Sequence, residues 1–183
     1  MNFVDAQIRS AAMFSSPEFV KRVTDEDPNM LNYLPLLASI NQHGYITTNS
    51  QAGLKTENDS YEIVERAYIV GFMLEKQAVD FIQRISIMTD KNAIYIPFSD
   101  NVYAPPNLDV PLSITKKNGD TFVHTHMSTI LPTSVWEQER KEARIHRREK
   151  IVYVFCWDTQ WHRRAGLPRG LFTDVLKILS DIK

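Results

Sequence analysis

Along the chain, stretches with an apolar residue every third or fourth position give way to shorter runs of β-branched and aromatic residues. Phe3, Val4, Ile8, Ala11 and Ala12 predict a short amphipathic helix over residues 2–14. Ser16-Pro17-Glu18 opens a second, through about residue 24. Serine caps free amides, proline suits the first turn, and glutamate suits the positive end of the helix dipole. Asp27-Pro28 interrupts it. Met30, Leu34, Leu37, Ala38 and Ile40 predict a third helix to Gln42, with Gly44 as its stop.

The pattern then changes period. Tyr45-Ile46-Thr47-Thr48 is β-prone, Asn49 to Gly53 reads as a turn, and Leu54 to Ser60 as a polar loop. Ala67 to Met73 is a strand, Glu75 to Met88 a helix with Ala78, Phe81, Ile82 and Ile85 on one face, and Ala93 to Phe98 a strand. Residues 99–111, with Pro105 and Pro106, read as a connection. Asn118-Gly119 between two β-prone runs, 112–116 and 121–129, is a strong hairpin signal. A helix from Thr133 to about Arg148, an apolar strand over Ile151–Trp157 and a closing helix over 170–182 complete the chain. The order predicts an α+β fold: a mixed sheet with split βαβ (ferredoxin-like) elements plus an added hairpin, helices mainly on one face. It forms one domain over 1–183, with 1–28 as an N-terminal helical extension.

Composition narrows the function classes. With 21 basic against 22 acidic residues, no global field draws the chain to nucleic acid or an anionic membrane. Arg140 to Lys150 is the densest basic stretch, but Glu137, Glu139, Glu142 and Glu149 interleave with it, so it reads as a solvated helix. No apolar run approaches the length that spans a bilayer, and residues 1–14 lack the pattern of a signal peptide. A cytoplasmic, soluble protein is expected. The single cysteine, Cys156, allows no internal disulfide; lying in an apolar run, it is a poor candidate nucleophile.

Three places carry candidate chemistry. Thr47, Thr48, Ser50 and Gln51 put hydroxyls and an amide in one glycine-terminated loop that could hold a phosphate, a carboxylate or a base edge. Arg66, on the neighbouring strand, would add a forked cation. Beyond the last strand, Trp161, Arg163 and Arg164 could stack on a planar ligand and hold its charge. His124 and His126, two apart on a strand, share a face; they are candidates for a general base and weaker candidates for metal ligands, with no third ligand at a diagnostic spacing.

The run L-x-x-L-A-x-I-N-x-x-G-Y-I-T-T-x-S-Q-x-G, followed by E-R-A-Y-I-x-G-F, resembles an uncharacterised family of domains of unknown function over about residues 31–98. That family carries N-x-x-G-Y-V-T-T-x-S-Q-P-G and then Q-R-A-x-V-x-G-F. The matching positions include Asn41, Gly44, Tyr45, Thr47, Thr48 and Gln51, then Arg66, Ala67, Gly71 and Phe72; Ala52 stands where the family has proline. The resemblance implies a shared fold and brings no activity with it.

The residues therefore lead us to expect a domain that binds a small anionic or nucleotide-like ligand. The alternatives are a hydrolase or transferase using His124 or His126, and a protein-interaction module. No particular cofactor is implied, and nucleic acid is not an expected partner.

Overall fold

The computed structural model describes residues 1–100 and 109–182. The chain begins with α1 (Phe3–Met13), α2 (Pro17–Glu26), a 3₁₀ turn (Pro28–Tyr33) and α3 (Leu34–Gln42). Three strands follow, β1 (Ile46–Ala52), β2 (Lys55–Glu57) and β3 (Glu62–Leu74), then α4 (Glu75–Ser86) and β4 (Lys91–Ile96). The remainder is β5 (Asp109–Lys117), β6 (Asp120–Ser128), α5 (Thr133–Glu142), β7 (Ile151–Trp161) and α6 (Leu171–Asp181). The connection expected around Pro105 and Pro106 lies outside the described residues.

β3 is the shared strand. Its second half lies between β1 and β7, with β4 outside β7; its first half lies between β2 and β5, with β6 outside β5. Every ladder between named strands is antiparallel, so the sheet is antiparallel and curled rather than mixed. The α4 crossover does set β3 and β4 in the same direction, but β7 sits between them and pairs antiparallel with both. Asn118 and Gly119 adopt positive φ (53° and 88°) in the two-residue turn joining β5 to β6, as that sequence predicts.

β3 and β7 are buried on both faces, which accounts for their nearly unbroken apolar runs. Ile69, Met73, Val154 and Cys156 face α3, α4 and α6 and pack with Leu37, Phe81, Phe172 and Val175. Tyr68, Val70, Phe72, Tyr153 and Phe155 face the other way, against Leu112 of β5, Ile145 and the Trp136 ring of α5. Helices thus cover both faces, α2, α3, α4 and α6 on one and α5 with the start of α1 on the other. Residues of the expected N-terminal extension enter the core: Phe3 and Ala6 are buried in the second cluster and Phe14 in the first.

The largest departure from the sequence reading lies at 49–53. This segment is strand, not turn: Asn49 to Ala52 pair with Val70 to Ala67, and β2 continues the line after Gly53. Asn and Ser have weak strand preferences, but a neighbour buried on both faces supplies a full ladder of partners, and tertiary pairing overrides propensity. A bulge between Thr47 and Asn49 absorbs Thr48 as an extra residue. Among the described residues no helix is long and apolar enough to cross a membrane.

Candidate functional site

The best-formed concave region lies along the outer edge of β1, which no other strand pairs among the described residues. Local packing makes that edge rigid. At the end of α3 the fully buried Asn41 donates to Leu37 O (2.8 Å) and Thr47 Oγ1 (2.9 Å), and accepts from the Thr47 N–H (3.0 Å) and the Ser10 hydroxyl (2.8 Å). One amide thereby joins α1, α3 and β1. Gly44 turns the chain with φ 98°, and the Tyr45 hydroxyl reaches Ile69 O (3.1 Å) and Val154 O (2.9 Å) beneath the sheet.

Two cavities meet on this edge, sharing Met13, Thr47 and Thr48 as walls. The larger, about 280 Å³, is lined by apolar side chains, among them Phe14, Phe19, Val23, Met30 and Leu34, with Asn49 and Ser50 on its β1 side. Arg22, Glu26 and Asp27 stand at its α2 end. The smaller, about 180 Å³, lies between α1 and α5, with Arg9, Ser10, Glu139 and Glu142 on its walls beside Met13, Ile46 and Ala143. The bulge at Thr48 places its hydroxyl 2.6 Å from the Tyr153 hydroxyl. Burial pushes the Glu139 carboxyl above the ordinary glutamate range, and the Thr48 hydroxyl draws it partly back. Tyr153 is likewise raised by burial. A half-buried carboxyl beside two hydroxyls can accept hydrogen bonds from a ligand, pair with a cation, or hold a proton.

The residues singled out in the sequence fall into separate groups. Thr47, Thr48 and Ser50 line the cleft. Gln51 instead approaches the Glu65 carboxyl. Arg66 lies five residues along β3 from Gly71, the partner of Thr47, which at strand rise is roughly 16 Å away. Its guanidinium stacks over the Trp161 ring, 4.2 Å from the centroid, so cation and aromatic engage each other. Arg163 is bound to Asp90 and sits 3.3 Å from Asp158, beside the fully buried Lys91. Lys91 in turn reaches Asp174 at 2.9 Å and Arg169 O at 2.8 Å. Arg163 therefore belongs to an internal ion network that ties β4, β7 and α6 together. Arg164 is exposed.

His124 and His126 lie on β6, both exposed, and do not line the cleft. His124 Nε2 contacts the Thr115 hydroxyl, and His126 Nε2 is 3.7 Å from Asp109. Among the described residues, no group of three or more His, Cys, Asp or Glu side chains is placed to hold a metal ion. Cys156 is fully buried, and burial raises its thiol pKa well above the ordinary value, which leaves it inert.

Arg9, Met13, Phe19, Glu139 and Glu142 are among the cleft residues that sequence reasoning did not single out. They belong to α1, α2 and α5, whose proximity to β1 is set by packing. Glu139 and Glu142 read in the sequence as helix-surface charges, and no local pattern distinguishes them from Glu137.

No curated protein matches the chain. The family whose signature covers nearly all of it is described as a domain of unknown function (DUF6919), matching residues 14–181, and the chain belongs to that family.

Proposed function

We propose that this chain is a small-molecule-binding domain whose ligand lies in the cleft along β1, with an apolar body in the larger cavity and a polar end at Thr48 and Glu139. The observation that carries this reading is that two cavities, one walled by Phe14, Phe19, Met30 and Leu34 and the other by Arg9, Glu139 and Glu142, meet at one shared wall, Met13, Thr47 and Thr48. Ligand sites are typically mostly apolar with a few convergent polar groups. The balance of charge along the cleft, Arg9 and Arg22 against Glu26, Asp27, Glu139 and Glu142, favours an end that donates hydrogen bonds or is cationic over the anion expected from the sequence. Of the cations that the sequence offers to such an anion, Arg66 and Arg163 are engaged elsewhere and Arg164 is exposed. In the same spirit we read the β3–α4–β4 crossover, with β7 inserted and α6 beside α4, as a split βαβ arrangement of ferredoxin-like kind.

The test is a thermal-shift screen against small amphiphilic compounds, with amine, neutral and carboxylate head groups on matched apolar bodies. A ligand at a hundred times its Kd stabilises by about 2.7 kcal/mol. Amine or neutral donors should raise Tm, Met13→Trp should abolish the shift by filling the shared wall, and His124→Ala with His126→Ala should leave it intact. A shift that survives Met13→Trp and disappears in the histidine double variant would place the site on β6 and end this reading.

A further inference from the structure

Around the C-terminal end of α5 the chain gathers positive charge. α5 ends at Glu142, and Arg144 takes a left-handed conformation (φ 57°) that turns the backbone so that Ile145 plugs the core and 146–148 curl back beside Arg140. The turn is held by Ile145 N–H to Arg140 O (3.1 Å) and His146 N–H to Met1 O (2.9 Å). The result is a shallow, open depression of about 500 Å³ whose walls include Arg140, Lys141, Arg144, Arg147 and Arg148, with His146 among them.

Among the described residues, one carboxylate answers these five cations. Glu137 binds Arg140 Nη2 at 2.7 Å and Arg147 Nη2 at 3.5 Å, and Arg140 first holds its carboxyl below the ordinary glutamate range. Among the described residues, Lys141, Arg144 and Arg148 have no carboxylate within ion-pairing distance. Arg140, 6% exposed, has a buried Nε without a hydrogen-bond partner. Cations do stabilise a helix C-terminus, but that end is worth only about half a negative charge. The lining exceeds that demand several-fold, in a chain whose formal net charge is −1.

We propose that this concavity is a binding site for an oligophosphate, a group of two or more consecutive phosphates. Arginine forks suit phosphate oxygens, and Arg144 and Arg148 offer two exposed ones on the same turn. A single phosphate carries about −1.5 to −2, too little to neutralise the lining. A single-stranded nucleic acid would want successive aromatic platforms for its bases, and His146 is the one ring among the residues lining this concavity. The site is separate from the β1 cleft and stands whether or not that cleft binds a ligand.

The experiment is titration calorimetry of the full chain with inorganic tripolyphosphate, ATP, orthophosphate and a short single-stranded RNA, each at two salt concentrations. The proteins are the wild type, Arg144→Gln with Arg148→Gln, and Lys76→Gln with Lys177→Gln as an exposed pair removing equal charge elsewhere. Tripolyphosphate should bind at least about tenfold more tightly than orthophosphate, weaken with salt, and lose about tenfold or more in the arginine variant alone. ATP equal to tripolyphosphate would identify a site that reads the phosphate chain only; ATP tighter by about tenfold would identify a nucleotide as its source. Tripolyphosphate no tighter than orthophosphate, an equal loss in the lysine control, or RNA binding more tightly than tripolyphosphate would each overturn the proposal. All substituted side chains are exposed, and Tm of each variant checks the fold.

Discussion

Asn41 shows most clearly what the matched motif is for. Its side chain makes four contacts at 2.8–3.0 Å with groups on α1, α3 and β1, all without exposure to solvent. Asn41→Ala would leave the Thr47 amide and the Ser10 hydroxyl buried without that partner, at a cost of about 1–3 kcal/mol for an unsatisfied group. A drop of about 3 kcal/mol in urea-unfolding stability is expected, together with a loosened cleft edge that amide hydrogen exchange at Thr47 and Thr48 would report. Tyr45 and Gly44 are structural in the same way. Most of the motif specifies how α3 meets the sheet. Of its polar positions Thr47, Thr48 and Ser50 also reach the cavities, where Leu34, Leu37 and Ile46 form part of the apolar walls, and the carboxyl with raised pKa there, Glu139, lies outside the motif altogether.

Among the elements, β1 depends on two glycines that admit close backbone approach. A Cβ on Gly71 would stand 2.0 Å from Ile46 O and 2.8 Å from Thr47 Cα, both backbone atoms of the paired strand. A Cβ on Gly53, whose φ is 73°, would meet Arg163 O at 2.6 Å, where the 163–165 segment crosses the end of β1. Neither neighbour is a flexible side-chain tip. Gly71→Ala is therefore expected to push β1 away from β3 and to cost about 3 kcal/mol or more. A fall in the denaturant midpoint would show it, and hydrogen exchange should localise the loss to β1. A fall below about 0.5 kcal/mol would mean that β1 shifts without strain, and that the cleft edge is softer than its hydrogen bonds suggest.

Across the whole molecule, the internal ion network joins parts of the chain far apart in sequence. Asp90 and Lys91 at the start of β4, Asp158 near the end of β7, Arg163 and Arg169 in the following loop, and Asp174 on α6 meet there. The Arg163 guanidinium holds the Asp90 carboxyl below the usual aspartate range, with Lys91 adding to the effect. A lowered carboxyl stabilises fully above its unfolded pKa, near 3.9 for aspartate, and that contribution is lost as pH falls through the lowered folded value. Burial raises Asp158 instead, so its ionisation opposes folding as pH rises past the ordinary range. Urea midpoints measured between about pH 2 and pH 6 should separate the two. The gap between wild type and Asp90→Asn should be constant above about pH 4 and close below it. A constant gap down to pH 2 would mean that Asp90 contributes by packing rather than charge.

Taken alone, the sequence determined what depends on neighbours a few residues away. The 3.6-residue and two-residue periodicities placed α3, α4, α6, β4 and β7 close to where they lie, and Asn118-Gly119 announced its hairpin turn. The motif around Asn41 and Tyr45 pointed to an uncharacterised domain family. Contacts between distant residues could not be read this way. Asn49 to Ala52 became strand because β3 offered partners, and the sheet stayed antiparallel because β7 entered between β3 and β4. The tertiary structure separated Arg66, Trp161 and Arg163 from Thr48, and brought Arg9 and Glu139 to it from helices some 130 residues apart in the chain. A cleft between elements has no local pattern, because closing the chain over that length is driven by burial of the core, and which polar side chains line the remaining gap follows from how the core packs.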